Sequence, residues 1–284
     1  MKLPSFVVTS IALLLPATLQ AATVYFFADF EYGGADPAVA TDAADLNTGM
    51  TNLVGSFSGT LPTSANNAFN SPSIVSFQND TATDNHLRID RPSGVGQFSA
   101  DLTSTVSVDG LFVSFDLLSR RGSNTGAGSF NIIGLDDSGN EAFNLFVDAD
   151  KNSDPGNQLA VVSGAGTVDY DPVTTFGGTG TPLSKDLNQS GGLADIASIS
   201  MVLGATDYSI TLDTPFNSGN QWTANSVAYN GSATTLSRIV FTVESDTGFY
   251  LDDLWVADEA IPEPSAVSLL GLSAALVALR RRRA

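Results

Sequence analysis

Tyr208-Ser209-Ile210-Thr211-Leu212 alternates apolar and hydroxyl side chains with a strict period of two. Successive side chains leave a strand on opposite faces, so this pattern is that of a strand with one face buried and one wet. The pattern recurs on either side. Ile239, Phe241 and Val243 face one way, and Arg238, Thr242 and Glu244 the other; Leu111, Val113, Phe115 and Leu117 form another inward row. Phe130–Leu135 and Ala142–Val147 are joined by Asp136-Asp137-Ser138-Gly139-Asn140, a hairpin turn signal. Further strands are expected at Val24–Phe30, Leu53–Phe57, Ile74–Phe77, Leu87–Ile89, Gln97–Leu102, Leu159–Val162, Ile196–Leu203 and Phe249–Val256. No long helical period and no fixed-length repeat is visible. Residues 164–192, rich in Gly, Thr and Pro, read as a long surface loop inside one domain. The expectation is an all-β protein, an antiparallel β-sandwich of jelly-roll type over residues 23–260.

Composition agrees. The 284 residues include 26 Gly and 12 Pro but only three Lys, and 25 of the 30 acids are Asp. Asp competes for nearby backbone groups and so gathers in turns and caps. Hydrophobic residues at 43% and 17 Phe argue for a packed core despite a net charge of −18. Residues 23–260 hold seven basic groups against 29 acids. A body that acidic is repelled by phosphate backbones, which excludes nucleic acid as a partner. With no cysteine there is no disulfide, thiol nucleophile or cysteine metal site.

The two ends read as addresses. Residues 1–22 combine Lys2, an apolar run over Phe6–Leu15 and a small-residue exit at Ala21-Ala22, the pattern of a secretory signal helix. Residues 261–284 run from Pro262-Glu263-Pro264 through an apolar stretch, Ser265–Leu279, to Arg280, Arg281, Arg282 and Arg283. As a short hydrophobic helix that stretch is roughly 22 Å long against a hydrocarbon core of roughly 30 Å. The arginines would hold its end in the cytoplasm. The three ordered parts resemble the PEP-CTERM sorting signal of Gram-negative bacteria. The resemblance implies recognition and removal of the tail by an exosortase. It also implies an inner-membrane-anchored precursor and a mature protein at the cell surface or in the extracellular biofilm matrix. An ordinary unprocessed C-terminal anchor is the alternative.

In the body, Phe27-Ala28-Asp29-Phe30-Glu31 with Leu53–Gly59, and the closing Phe249-Tyr250-Leu251-Asp252-Asp253-Leu254-Trp255-Val256, resemble the first and last strands of jelly-roll carbohydrate-binding and concanavalin-like lectin modules. The resemblance implies that these strands are neighbours and that a structural calcium sits between them. Asp29 and Glu31 share a strand face, whereas Asp252 and Asp253 point to opposite faces, so only one of the latter readily joins the pair. A second calcium candidate is Asp148, Asp150, Asn152 and Asp154, spaced as in the start of an EF-hand loop. Ser153 and Leu159 then break that fit.

No catalytic template is present: there is no nucleophile elbow, phosphate loop or zinc-binding helix motif. His86, the one histidine, follows the turn formers Thr83-Asp84-Asn85 and is expected in a solvated loop. Sugar binding needs exposed aromatic faces beside hydrogen-bonding groups. The polar stretch with Asn220, Gln221 and Trp222 is the leading candidate, with Tyr229 near the next turn; Trp255, inside the last strand, reads as core. The expectation is an exported, non-catalytic module that binds carbohydrate, with exopolysaccharide, exosortase and the export machinery as partners. A purely structural surface protein and a glycan-active hydrolase or lyase are the alternatives.

Overall fold

A computed structural model describes residues 22–30, 42–61, 68–70, 86–89, 95–120, 129–148, 158–163, 167–169, 197–214, 220–244 and 248–259. They form one short helix, α1 (Ala43–Gly49), and fifteen strands. The strands are β1 (Val24–Ala28), β2 (Ser56–Thr60), β3 (Ala68–Asn70), β4 (His86–Ile89), β5 (Gly96–Ser107), β6 (Phe112–Arg120), β7 (Ser129–Leu135) and β8 (Glu141–Asp148). The remainder are β9 (Gln158–Ser163), β10 (Thr167–Asp169), β11 (Ala197–Leu203), β12 (Asp207–Thr214), β13 (Asn220–Ala228), β14 (Thr235–Val243) and β15 (Gly248–Ala257).

Every pairing is antiparallel. An eight-stranded sheet runs β13-β12-β11-β6-β15-β4-β3, with β1 also paired to β15, and a seven-stranded sheet runs β10-β9-β8-β7-β14-β5-β2. The chain crosses repeatedly between the sheets, so β14 lies between β5 and β7 while β15 lies beside β6. This is the expected antiparallel sandwich. The first and last strands are neighbours, as the family resemblance implied.

The inward rows interlock as the alternation requires. Phe249 of the eight-stranded sheet meets Phe130 at 4.9 Å, Phe241 at 5.9 Å and Phe98 at 6.4 Å across the core. Phe26 packs edge-on against Phe57 at 5.3 Å, bringing β1 onto β2. Close packing also selects glycine at Gly134, where a Cβ would fall 2.3 Å from the Phe143 ring.

Three features depart from the sequence expectation. Residues 43–49 form a helix capped by Asp42 and Asp45 in a reciprocal box, too short for its period to stand out. Its Asn47 side chain donates to Phe57 O at 2.8 Å and accepts from Phe57 N–H at 2.6 Å, as a further strand would at the β2 edge. The stretch read as a polar loop around Trp222 is strand β13. His86 is not in a solvated loop: it is fully buried in β4, its ring 5.0 Å from Tyr250. The expected signal helix, the strand at Ile74–Phe77 and the entire tail from 261 onward lie outside the described residues. Among the described residues no helix is long and apolar enough to cross a membrane.

Candidate functional site: the outer faces of the two sheets

Cross-strand register lines up three rows on the outer face of the eight-stranded sheet. Asp252 pairs with Asp116, Asp116 with Ser198, Ser198 with Asp213, and Asp213 with Gln221. Two residues along β6, β11, β12 and β13, and three along β15, Trp255, Ser114, Ser200, Thr211 and Thr223 follow in the same order. The next row is Ala257, Phe112, Val202 and Ser209, with Val202 51% exposed. Directly opposed residues share a face, so the first row is rich in carboxylates, the second mostly hydroxyl and the third mostly apolar. The first two rows cross five strands, about 19 Å at the usual strand spacing.

A depression of about 370 Å³ lies in this face, lined by Asp116, Asp213 and Asp253 with the hydroxyls of Ser114, Ser198, Ser200 and Thr211. Thr211 and Thr223 are joined hydroxyl to hydroxyl at 3.2 Å, which fixes the row toward β13. At the other end the Trp255 ring meets Phe27 edge-on at 4.8 Å. Ionised carboxylates only accept hydrogen bonds, while Ser and Thr hydroxyls both donate and accept. Such a surface suits a neutral ligand rich in hydroxyl donors.

A β-bulge produces part of this arrangement. The register of β15 shifts between Asp252 and Trp255, and Asp253 takes a left-handed φ of 47°. The extra residue is absorbed there and the face of everything beyond it is switched. Asp252 and Asp253 therefore do not point to opposite faces as strict alternation predicts. Asp252 is in register with the outer row though only 4% exposed, and Asp253 lines the depression. The Asp253 N–H donates to Asp252 Oδ1 at 2.9 Å. By the same shift Trp255, read as core from the sequence, is half-buried on the outer face opposite Ser114.

The remaining expected residues are dispersed. Asp29 follows Ala28, whose register partner is Leu254, so it stands just beyond the end of the β1–β15 pairing. Asp29 accepts from Asn52 Nδ2 at 2.9 Å. Asp148 closes β8 opposite Ser129 and Gln158. Glu31, Asp150, Asn152 and Asp154 lie outside the described residues, as do Pro262, Glu263, Pro264 and Arg280–Arg283. Among the described residues no group of three or more His, Asp or Glu side chains converges as metal ligands.

In β13, Trp222 stands opposite Leu212, Asn220 opposite Thr214, and Gln221 opposite Asp213 in the carboxylate row. Tyr229 stacks on Tyr208 at 5.8 Å and donates its hydroxyl to Gly204 O at 2.6 Å. Burial, then the charges of Asp207 and Asp109, push the Tyr229 phenol up to about 12.

The seven-stranded sheet has its own outer depression, about 720 Å³, over β2, β5 and β14. Gly59 lies in its lining with φ at +89°, and a Cβ there would meet Gln97 O at 2.8 Å. Glycine keeps β2 pressed onto β5 and that end of the groove open.

No family model and no curated protein matches this sequence. Among solved structures the chain is similar to the globular domain of T. cruzi calreticulin, at 12% identity over 84% of this chain and 89% of that one, TM-score 0.46. It is also similar to a lectin from Bauhinia forficata in complex with GalNAc, at 11% identity over 66% of this chain and 96% of that one, TM-score 0.40. A sialidase matches at 12% identity over 70% of this chain, TM-score 0.40, but the matched part spans only 16% of the sialidase. At these scores none of them bears on what this chain binds.

Proposed function

We propose that this protein is an exported, non-catalytic carbohydrate-binding module that acts at the cell surface or in the matrix. The observation that supports this reading most is the graded outer face of the eight-stranded sheet. Asp116 and Asp213 accept hydrogen bonds from sugar hydroxyls, the row from Ser114 to Thr223 matches them with donors and acceptors, and the apolar bank by Trp255 takes the sugar's C–H face. Binding on this reading runs through these side chains and no step passes through a cation.

The test is affinity electrophoresis of the full chain in gels containing single neutral polysaccharides. Retardation on at least one, with no release of reducing ends, is expected. Absence of retardation on all of them would remove neutral-sugar binding from this face and favour a structural surface role for it, and release of reducing ends would make the protein a glycan-active enzyme.

Export and sorting belong to the same proposal. Thr23 N–H donates to Asp258 Oδ1 at 2.7 Å, tying the start of β1 to the end of β15. A domain over 23–260 with its signal and tail leaving from one point is consistent with that bond. The PEP-CTERM reading has an exosortase remove residues beyond Pro262–Pro264 in a Gram-negative host. Mass spectrometry of the mature protein tests it: a C-terminus still carrying Arg280–Arg283 would end the sorting hypothesis.

A further inference from the structure

Arg238 stands directly opposite Asp101 across β14 and β5, in the floor of the groove on the seven-stranded sheet. Directly opposed side chains have Cβ atoms about 5 Å apart, close enough for a cross-strand ion pair. None forms. Asp101 Oδ1 accepts from Ser99 Oγ at 2.9 Å, and Ser99 Oγ is 2.8 Å from Ser58 Oγ. Among the described residues no carboxylate is within ion-pair range of the Arg238 guanidinium. Ser99 is only 8% exposed, so this chain of hydroxyls and carboxylate is a fixed part of the floor. Thr105 Oγ1 donates to Asp137 Oδ2 at 2.6 Å and holds one wall of the groove in place. In a body with 29 acids and seven bases, a half-buried arginine held out of an ion pair beside an aspartate is a donor fork left open to the groove.

We propose that this groove binds a carboxylated sugar, a uronic acid residue of an acidic polysaccharide. Arg238 takes the carboxylate through two parallel N–H donors, the pairing in which guanidinium is strongest. Asp101, Ser58, Ser99 and Gln97 take the ring hydroxyls. The depression on the eight-stranded face is lined by Asp116, Asp213 and Asp253 with no basic side chain to offset them, whereas Arg238 stands beside Asp101 and Asp137 in the groove. This site is independent of the one on the opposite sheet.

The full chain is run in gels containing polygalacturonate and, separately, a neutral polymer that retards it, at 0.15 M salt. At that ionic strength charges more than about 8 Å away are largely screened, so the distant acids count for little. Wild type is expected to be retarded by polygalacturonate, and Arg238→Gln to bind it tenfold or more weakly. Arg238→Lys, with the charge but not the fork, falls between them. The pair Asp116→Asn and Asp213→Asn keeps its retardation by polygalacturonate. Unfolding midpoints of the variants check that each is folded. Absence of uronate binding by wild type, an Arg238→Gln variant that binds like wild type, or loss of uronate binding in the aspartate pair would each overturn the proposal.

Discussion

The two outer faces are built on the same pleat and the same core, yet they offer opposite chemistry. On the eight-stranded sheet, register sets Asp252 against Asp116, puts Ser198 between Asp116 and Asp213, and lines up the hydroxyls of Ser114, Ser200, Thr211 and Thr223 in the next row. On the seven-stranded sheet, register sets Arg238 against Asp101, and a serine draws the aspartate aside. Each strand's sequence decides only which residues face outward. The order of strands in the sheet decides which of them become neighbours, and that order sets the ligand each face can take.

The largest effect should come from removing what the faces share. Phe249 is fully buried and contacts three phenylalanines of the opposite sheet. Phe249→Ala should destabilise the fold by about 3–5 kcal/mol. Urea unfolding would measure this, and both binding activities should fall together. A smaller, one-sided effect is expected at Gly59, whose positive φ and close approach to Gln97 leave no room for a side chain. Gly59→Ala should cost about 1–2 kcal/mol. It should weaken uronate binding while leaving retardation by a neutral polymer unchanged.

Acid should act on the whole frame rather than on either face. The Asn140 side-chain amide, then the Asn140 backbone N–H, hold the Asp136 carboxyl below its ordinary 3.8 against the cost of burial. Thr23 lowers Asp258 in the same way at the β1–β15 junction. A carboxyl lowered in the folded state contributes stability that is full above the unfolded value and lost as pH falls through the folded one. The unfolding midpoint should therefore drop below pH 3.8. Asp136→Asn should flatten that drop, as circular dichroism melts against pH would show.

Much of the fold was legible in the chain. Alternation marked the strands through Phe115, Ile132, Ile210 and Phe241, and the Asp136–Asn140 turn formed as its residues dictate, with Asp136 accepting from the backbone N–H groups of Ser138 and Asn140. The resemblance of the end strands led to the β1–β15 pairing. The outward residues of the eight-stranded sheet were visible strand by strand, at Ser114 and Asp116, Ser198 and Ser200, Thr211 and Asp213. Their assembly into rows was not, because β6 reaches β11 across some eighty residues of chain. The bulge at Asp253 was hidden for a local reason: Asp-Asp fits a plain strand end as well as a bulge, and the choice reverses Trp255. Arg238 was read correctly as outward-facing, but its freedom depends on Ser99, a partner on another strand.

The most direct test of the central claim is affinity electrophoresis of the double variant Asp116→Asn, Asp213→Asn in the neutral polysaccharide that retards wild type. Charge-assisted hydrogen bonds from sugar hydroxyls are lost at both positions, so retardation should weaken at least tenfold in a variant whose unfolding transition shows it to be folded. Retardation equal to wild type would contradict the assignment of sugar binding to this face.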